Sequence, residues 1–149
     1  MTNSFHVAQT TWDEHKKDLI SVRTKVFINE QLVPPDLEWD GYDKDCWHVI
    51  AKSDDGQCIG TARLLYDGHI GRMAVLPDFR KKGVGSALLV ALQKIAATQG
   101  ISDLFLHAQT SAVDFYKRHG YTLNSSEFMD AGIPHVTMTK SLTENLPEN

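Results

Sequence analysis

The sequence predicts a single α/β (α+β) domain built on a mixed, mostly antiparallel sheet of about seven strands flanked by helices. Three observations carry this. The chain has 149 residues, which is one domain and enough to bury a sizeable core. Short apolar stretches separated by Asp55-Gly56 and Asp67-Gly68 describe an antiparallel meander across residues 46–76. A strand, a Gly-rich corner, an amphipathic helix and another strand then follow up to residue 108, the order of a parallel crossover unit. The whole chain reads β-α-loop-β-β-β-α-β-α-β-β.

Taken in order, residues 5–9 read as a short first strand. Thr11-Trp12-Asp13-Glu14 has capping-box spacing, and Leu19, Val22, Val26 and Phe27 then recur near the helical period. Pro34-Pro35 close that helix and open an acidic loop to about Asp45. Residues 46–53, 58–66 and 69–76 are the meander strands. Val84, Leu88, Ala91, Leu92 and Ile95 share one face of the next helix, and Gly100 is its natural stop. Residues 103–108 form a short strand, and Ser111-x-x-Asp114 predicts a capped helix through Lys117, Arg118 and His119 that Gly120 ends. Residues 121–128 and 135–142 read as a final strand pair, and 143–149 as a loose tail.

Composition narrows the function classes. With 42% hydrophobic and 23% charged residues this is an ordinary globular chain, and a formal charge of −4 argues against general nucleic-acid binding. No apolar run approaches a membrane span, and the first 20 residues lack the order of a secretion signal, so no membrane partner and a cytoplasmic location are expected. With the turn at Asp55-Gly56, Cys58 falls opposite Ser53, roughly 23 Å along the ladder from Cys46, so two buried reduced thiols are expected. The seven histidines show no paired ligand spacing, and no metal site is expected. Charge is uneven: Glu30, Asp36, Glu38, Asp40, Asp43 and Asp45 stand against Lys44 alone, while Arg72, Arg80, Lys81 and Lys82 stand against Asp78. That contrast suits a polyanionic cofactor and a cationic co-substrate.

The Gly-rich corner is the most informative stretch. It runs Arg80-Lys81-Lys82-Gly83-Val84-Gly85-Ser86 into a helix. A helix start leaves unpaired backbone N–H groups and partial positive charge, Gly83 and Gly85 let a ligand approach the backbone, and the three bases add full charges. This predicts a phosphate or pyrophosphate site. The spacing is neither a Walker loop nor the three-glycine dinucleotide fingerprint, which disfavours ATP.

Arg80-x-x-Gly83-x-Gly85 resembles the acetyl-CoA loop of the GCN5-related N-acetyltransferases, the GNAT family, whose signature is Gln/Arg-x-x-Gly-x-Gly/Ala. Ala112-Val113-Asp114-Phe115-Tyr116-Lys117-Arg118-His119-Gly120-Tyr121 resembles the family's Ala-x-x-Phe-Tyr-x-x-x-Gly-Phe segment. Arg23-x-x-Val26-Phe27-x-x-Glu30-Gln31, the loop acids Asp40 and Asp43, His48, Ala108-Gln109 and Ala131-Gly132-Ile133-Pro134-His135-x-x-Met138 are similar to the ElaA-like and YjcF-like bacterial branch. Gln109 stands where many family members have Asn. The resemblance covers the chain from first strand to last and implies one acetyl-CoA-binding domain over 1–142, with a splayed central parallel strand pair.

It also implies a chemistry: acetyl-CoA as co-substrate, no metal, and transfer to a primary amine of a small molecule or peptide by direct attack in a ternary complex. Lys81, Lys82, Gly83, Val84, Gly85 and Ser86, with Arg80, would hold the pyrophosphate. Pantetheine would follow Met73-Ala74-Val75, with the Val75 amide polarising the thioester oxygen. Gln109 is assigned to the cofactor side, and Tyr116 matches the proton donor to the departing thiolate. Glu38, Asp40, His48, His107 and His135 remain candidates for the base; His107, near the end of its strand, is taken as catalytic, and Glu38, Asp40 and His135 as acceptor contacts. A homodimer is compatible with this reading. The alternative is an acyl-CoA-binding sensor without turnover, against which the intact loop and Tyr116 count.

Overall fold

The computed structural model describes residues 4–142, so the tail at 143–149 lies outside the described residues. Its strands are β1 (Phe5–Thr10), β2 (Trp47–Ser53), β3 (Cys58–Leu64), β4 (His69–Val75), β5 (Asp103–Gln109), β6 (Thr122–Leu123), β7 (Phe128–Asp130) and β8 (Ile133–Ser141). The helices are α1 (Trp12–Arg23), which runs into a π-helical segment Thr24–Glu30, then α2 (Pro35–Glu38), α3 (Val84–Thr98) and α4 (Val113–Arg118). The strands form one sheet in the order β1-β2-β3-β4-β5-β8-β6, with β7 also on β8. Every pairing is antiparallel except β4 with β5.

Two layers of helix cover this sheet. On one face α3 buries Leu88, Leu89 and Leu92 completely against Val49, Ala62 and Leu106. Each such leucine contributes about 1.5–3 kcal/mol of apolar burial. On the other face Val22 and Val26 pack on Ala74 and Leu76, and Trp12 and Leu19 on Ile50. α1 starts as its sequence predicts: Thr11 Oγ1 accepts from the Glu14 amide at 3.2 Å. α3 ends at Gln99, where Gly100 at φ +77° and the Ile101 N–H to Ala96 carbonyl bond (2.9 Å) close the last turn.

Three local expectations are corrected. The sheet has eight strands because the segment before the last hairpin breaks into β6 and β7: Ser125 Oγ takes the Thr137 amide at 2.8 Å, replacing a ladder carbonyl. Cys58 pairs with Lys52, not Ser53, since Ser53 bonds Gln57 across a three-residue loop and the ladder shifts at Ala51/Lys52. The cysteines are free, as expected, but half-buried. Finally, Ser111 does not cap α4; it lies inside the 3₁₀ turn Thr110–Ala112, whereas a cap needs extended backbone at that position.

Candidate active site

The parallel pair opens almost as soon as it forms. β4 and β5 are in register only at His69↔Phe105 and Ile70↔Leu106. Beyond this point they diverge, leaving a cleft of about 430 Å³ whose walls include Met73 of β4, His107 and Gln109 of β5, Tyr116 of α4, His135 of β8 and Gln31 after the π-helical segment. A bulge helps shape the β4 wall: pairing jumps from Arg63↔Gly71 to Thr61↔Ala74, and Arg72 sits at φ +49°. After the bulge, Leu76 N–H bonds the Ile59 carbonyl, so by strand alternation the Val75 N–H and C=O point away from β3, toward the open side.

At one end of β4 lies the Gly-rich corner. Lys81 (φ +62°) and Gly83 (φ +87°) both adopt left-handed backbone, and α3 begins without a side-chain cap. The first helical bond there runs from Ala87 N–H to the Gly83 carbonyl, so the amides of Val84, Gly85 and Ser86 precede the ladder. The helix start is held close to the sheet because residue 60 lacks a side chain: a Cβ there would meet Val84 Cγ1 and Leu88 Cδ1 at 3.1 Å. Ser86 Oγ shares a hydrogen bond with His119 Nε2 at 3.0 Å. Arg80 is not a free cation. Its guanidinium forks onto Glu30 at 2.7 and 2.6 Å and its Nε bonds the Val75 carbonyl at 2.9 Å. That hydrogen-bonded pairing lowers the Glu30 carboxyl and raises Arg80. The unshared positive charge at the corner therefore rests on exposed Lys81 and Lys82 and on the helix amides.

Across the cleft, Tyr116 is half-buried and directs its hydroxyl at Met73 Sδ of β4, 3.7 Å away. A thioether is a weak acceptor, which leaves the hydroxyl available to a better one. Burial pushes the phenol up to about 12, so it stays protonated at neutral pH. Gln109 Nε2 donates to Gln31 Oε1 at 2.9 Å, joining β5 to the helical wall. His107 is exposed, its Nδ1 3.1 Å from Thr137 Oγ1. His135 is buried with Nδ1 2.7 Å from the Ile133 carbonyl. His69, which sequence reasoning did not single out, also lines the cleft; burial and then His107 push it down to about 4. His48 is elsewhere, buried under the acidic loop with Nε2 2.8 Å from the Asp43 carbonyl, and burial lowers its pKa.

The acidic loop is not the free anionic surface its composition suggests. Arg23 Nε meets Glu38 at 2.7 Å and its Nη1 meets Asp43 at 2.6 Å; Arg63 reaches Asp43 at 2.9 Å and also pairs with Asp40; Arg72 bridges Glu38 at 3.2 Å and Asp40 at 3.0 Å. Three guanidiniums thus cancel three carboxylates, so the expected attraction of a cationic acceptor by this loop is withdrawn. Arg23 is 1% exposed and stacks between the Trp12 and Trp39 rings. Burial raises the Glu38 carboxyl against the pull of Arg72 and Arg23. For Asp40, burial pushes up, but the hydrogen bond and charge of Arg63 prevail and hold it at about 2. Glu38 and Asp40 still line the cleft, but as anchored groups.

Asp43, Cys46 and His48 have donor atoms within 4.8 Å of one another. They do not fit a cation: Asp43 is held by two arginines, His48 Nε2–H is spent on the Asp43 carbonyl, and burial pushes the Cys46 thiol up to about 11.

The geometry is thus a central parallel pair that splays beside an uncapped, Gly-framed helix start. Residues 12–142 match the family model described as an acetyltransferase (GNAT) domain, and the chain belongs to that family. It is 42% identical over 132 residues to the Bacillus subtilis protein named uncharacterized N-acetyltransferase YjcF, covering 86% of this chain and 94% of that one. A solved acyl-CoA N-acyltransferase of Pseudomonas aeruginosa superposes with a TM-score of 0.82 at 27% identity, covering 93% of this chain and all of that one (100%). Escherichia coli ElaA shares the fold with a TM-score of 0.82 at 24% identity over 91% of this chain and 99% of its own. The protein is accordingly a GNAT-type acyltransferase that uses an acyl-CoA. Among the described residues no helix is long and apolar enough to cross a membrane.

Proposed function

We propose that this enzyme moves an acetyl group from acetyl-CoA to a primary amine by direct attack within a ternary complex, in the cytoplasm. The observation that carries the proposal is the convergence on one cleft of a β4 edge freed by the splay and the Tyr116 hydroxyl facing that edge. The pyrophosphate would rest on the amides from Lys81 to Ser86, assisted by Lys82. Pantetheine would run along Met73-Ala74-Val75 as an added strand. The Val75 N–H would polarise the thioester oxygen, since its orientation needs no reorganisation as charge develops. When the carbon–sulfur bond breaks, Tyr116 would give its proton to the thiolate. Direct attack is favoured over an acyl-enzyme because neither Cys46 nor Cys58 lines the cleft, and burial holds both thiols near 11, far from the reactive thiolate range.

Two measurements test this reading. Thermal shift with acetyl-CoA, CoA and ATP should show stabilisation by the first two only. Thiol release from acetyl-CoA over an amine panel should then give intersecting initial-rate lines. Parallel lines would replace direct attack by an acyl-enzyme, and binding without transfer to any amine would leave the sensor reading instead.

A further inference from the structure

The geometry points to His135 as the general base that takes the proton from the acceptor amine, a role that rests on the amine-transfer reading above. A protonated alkyl amine cannot attack a thioester; its nitrogen lone pair is engaged until a base removes the proton. The titratable and charged groups lining the cleft are Glu38, Asp40, Arg72, His69, His107, Tyr116, Asp130 and His135. Five of these are engaged or unsuited. Glu38 is bound by Arg23 and Arg72, and Asp40 by Arg63 and Arg72. Arg72 is a cation, and Tyr116 is a protonated phenol on the thiolate side. His69 lies flat on Phe105 at 4.6 Å with His107 edge-on at 4.9 Å, a pair that disfavours its taking a proton.

Of the remaining three, Asp130 sits at the exposed end of the β7–β8 hairpin and His107 is exposed, its Nδ1 facing a hydroxyl that can donate or accept. His135 differs in kind. The Ile133 carbonyl 2.7 Å from its Nδ1 can only accept, so Nδ1 carries the hydrogen and the neutral ring presents a bare lone pair at Nε2. Phe128 stacks on the ring at 6.0 Å and 24°, so its plane is held as well. His135 is 8% exposed and is one of the residues that line the cleft. In register it lies opposite Gln109, at the end of β5 beyond its pairing with β4. This is the positioned base with a fixed tautomer that proton abstraction requires.

The proton inventory closes. The ammonium gives one proton to His135 Nε2, and the freed lone pair forms the carbon–nitrogen bond. The carbon–sulfur bond then breaks, the thiolate takes the Tyr116 proton, and the phenolate recovers the second nitrogen proton as the amide forms. His135 returns its proton to solvent, so one proton is released per acetyl transferred.

With any amine that the wild-type enzyme acetylates, kcat/KM should rise with pH along a limb set by the base. His135→Gln should remove that limb and lower kcat/KM at pH 7 by about 10²–10⁴-fold. The deficit should narrow as pH approaches the amine's own pKa, and the acetyl-CoA thermal shift should persist. A His135→Gln enzyme with the wild-type limb, or a limb abolished by His107→Gln instead, overturns the assignment. Independently of activity and folding of the variant, NMR of ¹⁵N-histidine-labelled wild-type protein should show neutral His135 with its proton on Nδ1; a proton on Nε2 overturns it. A wild-type enzyme that binds acetyl-CoA yet acetylates no amine would instead remove the amine-transfer reading, and the base with it.

Discussion

In the proposed reaction, single residues, Tyr116 and Gly83, would carry the two halves. The Tyr116 phenol is kept protonated by burial, and its hydroxyl faces β4 rather than solvent. If its proton reaches the thiolate, Tyr116→Phe should lower kcat by about 10²–10⁴-fold while leaving acetyl-CoA affinity nearly unchanged, because the hydroxyl acts mainly in the transition state. The ring packing is retained, so steady-state kinetics beside a thermal shift separate chemistry from folding; wild-type turnover would return the proton to water. At Gly83 the backbone is left-handed, with open space where a Cβ would stand. Gly83→Glu would strain that backbone and set a carboxylate among the amides, so the CoA-induced thermal shift should vanish. Retention of the shift would place the pyrophosphate elsewhere.

Among elements, α3 and the π-helical segment frame the cleft from opposite walls in the proposed arrangement of cofactor and acceptor. α3 can bring its first amides to β4 only because Gly60 lets it ride close to β3. Gly60→Ala should cost about 1–3 kcal/mol through overpacking, since the added methyl meets Ala74 O at 3.2 Å as well as two side chains of the helix. Urea unfolding measures that cost, and a weaker acetyl-CoA thermal shift would report the displaced helix start. The π-helical segment acts from the opposite wall. Its wider turns deliver Glu30 to Arg80 and Gln31 to Gln109, tying this wall to the Gly-rich corner and to β5.

For the molecule as a whole, the decisive electrostatic feature is the cluster that pins the loop after α2 onto the sheet. Arg23, Arg63 and Arg72 come from α1, β3 and β4, and each spans two carboxylates. Breaking a buried pair strands a charge, so Arg23→Met should destabilise by about 3–5 kcal/mol in chemical denaturation. The pH dependence follows from Asp40. Its folded pKa, about 2, lies below the unfolded value of about 3.9, so its contribution is fully present above about pH 4 and is lost as pH falls toward 2. Asp40→Asn should flatten the loss of stability across that window. An unchanged slope would show that the Arg63 pairing does not matter to folding.

Much of this was legible in the chain itself. The meander, the crossover unit and the Gly-framed corner depend on turn chemistry and periodicity among residues close in sequence, and such contacts form wherever the local pattern occurs. The Gly-rich corner is one continuous segment, so its helix start could be read before any fold was known. The charge balance could not. Arg23 lies 15 residues from Glu38, and Arg80 lies 50 from Glu30, so a count along the acidic loop registers six acids and none of the arginines that neutralise them. Nor could sequence choose among the histidines: His48, His107 and His135 are alike as residues, and only strand register and burial put His48 under the loop, leave His107 exposed on the cleft wall and bury His135 in that wall with its tautomer set. Local order is encoded in neighbours, whereas ionisation, orientation and access belong to groups that meet only when the sheet closes.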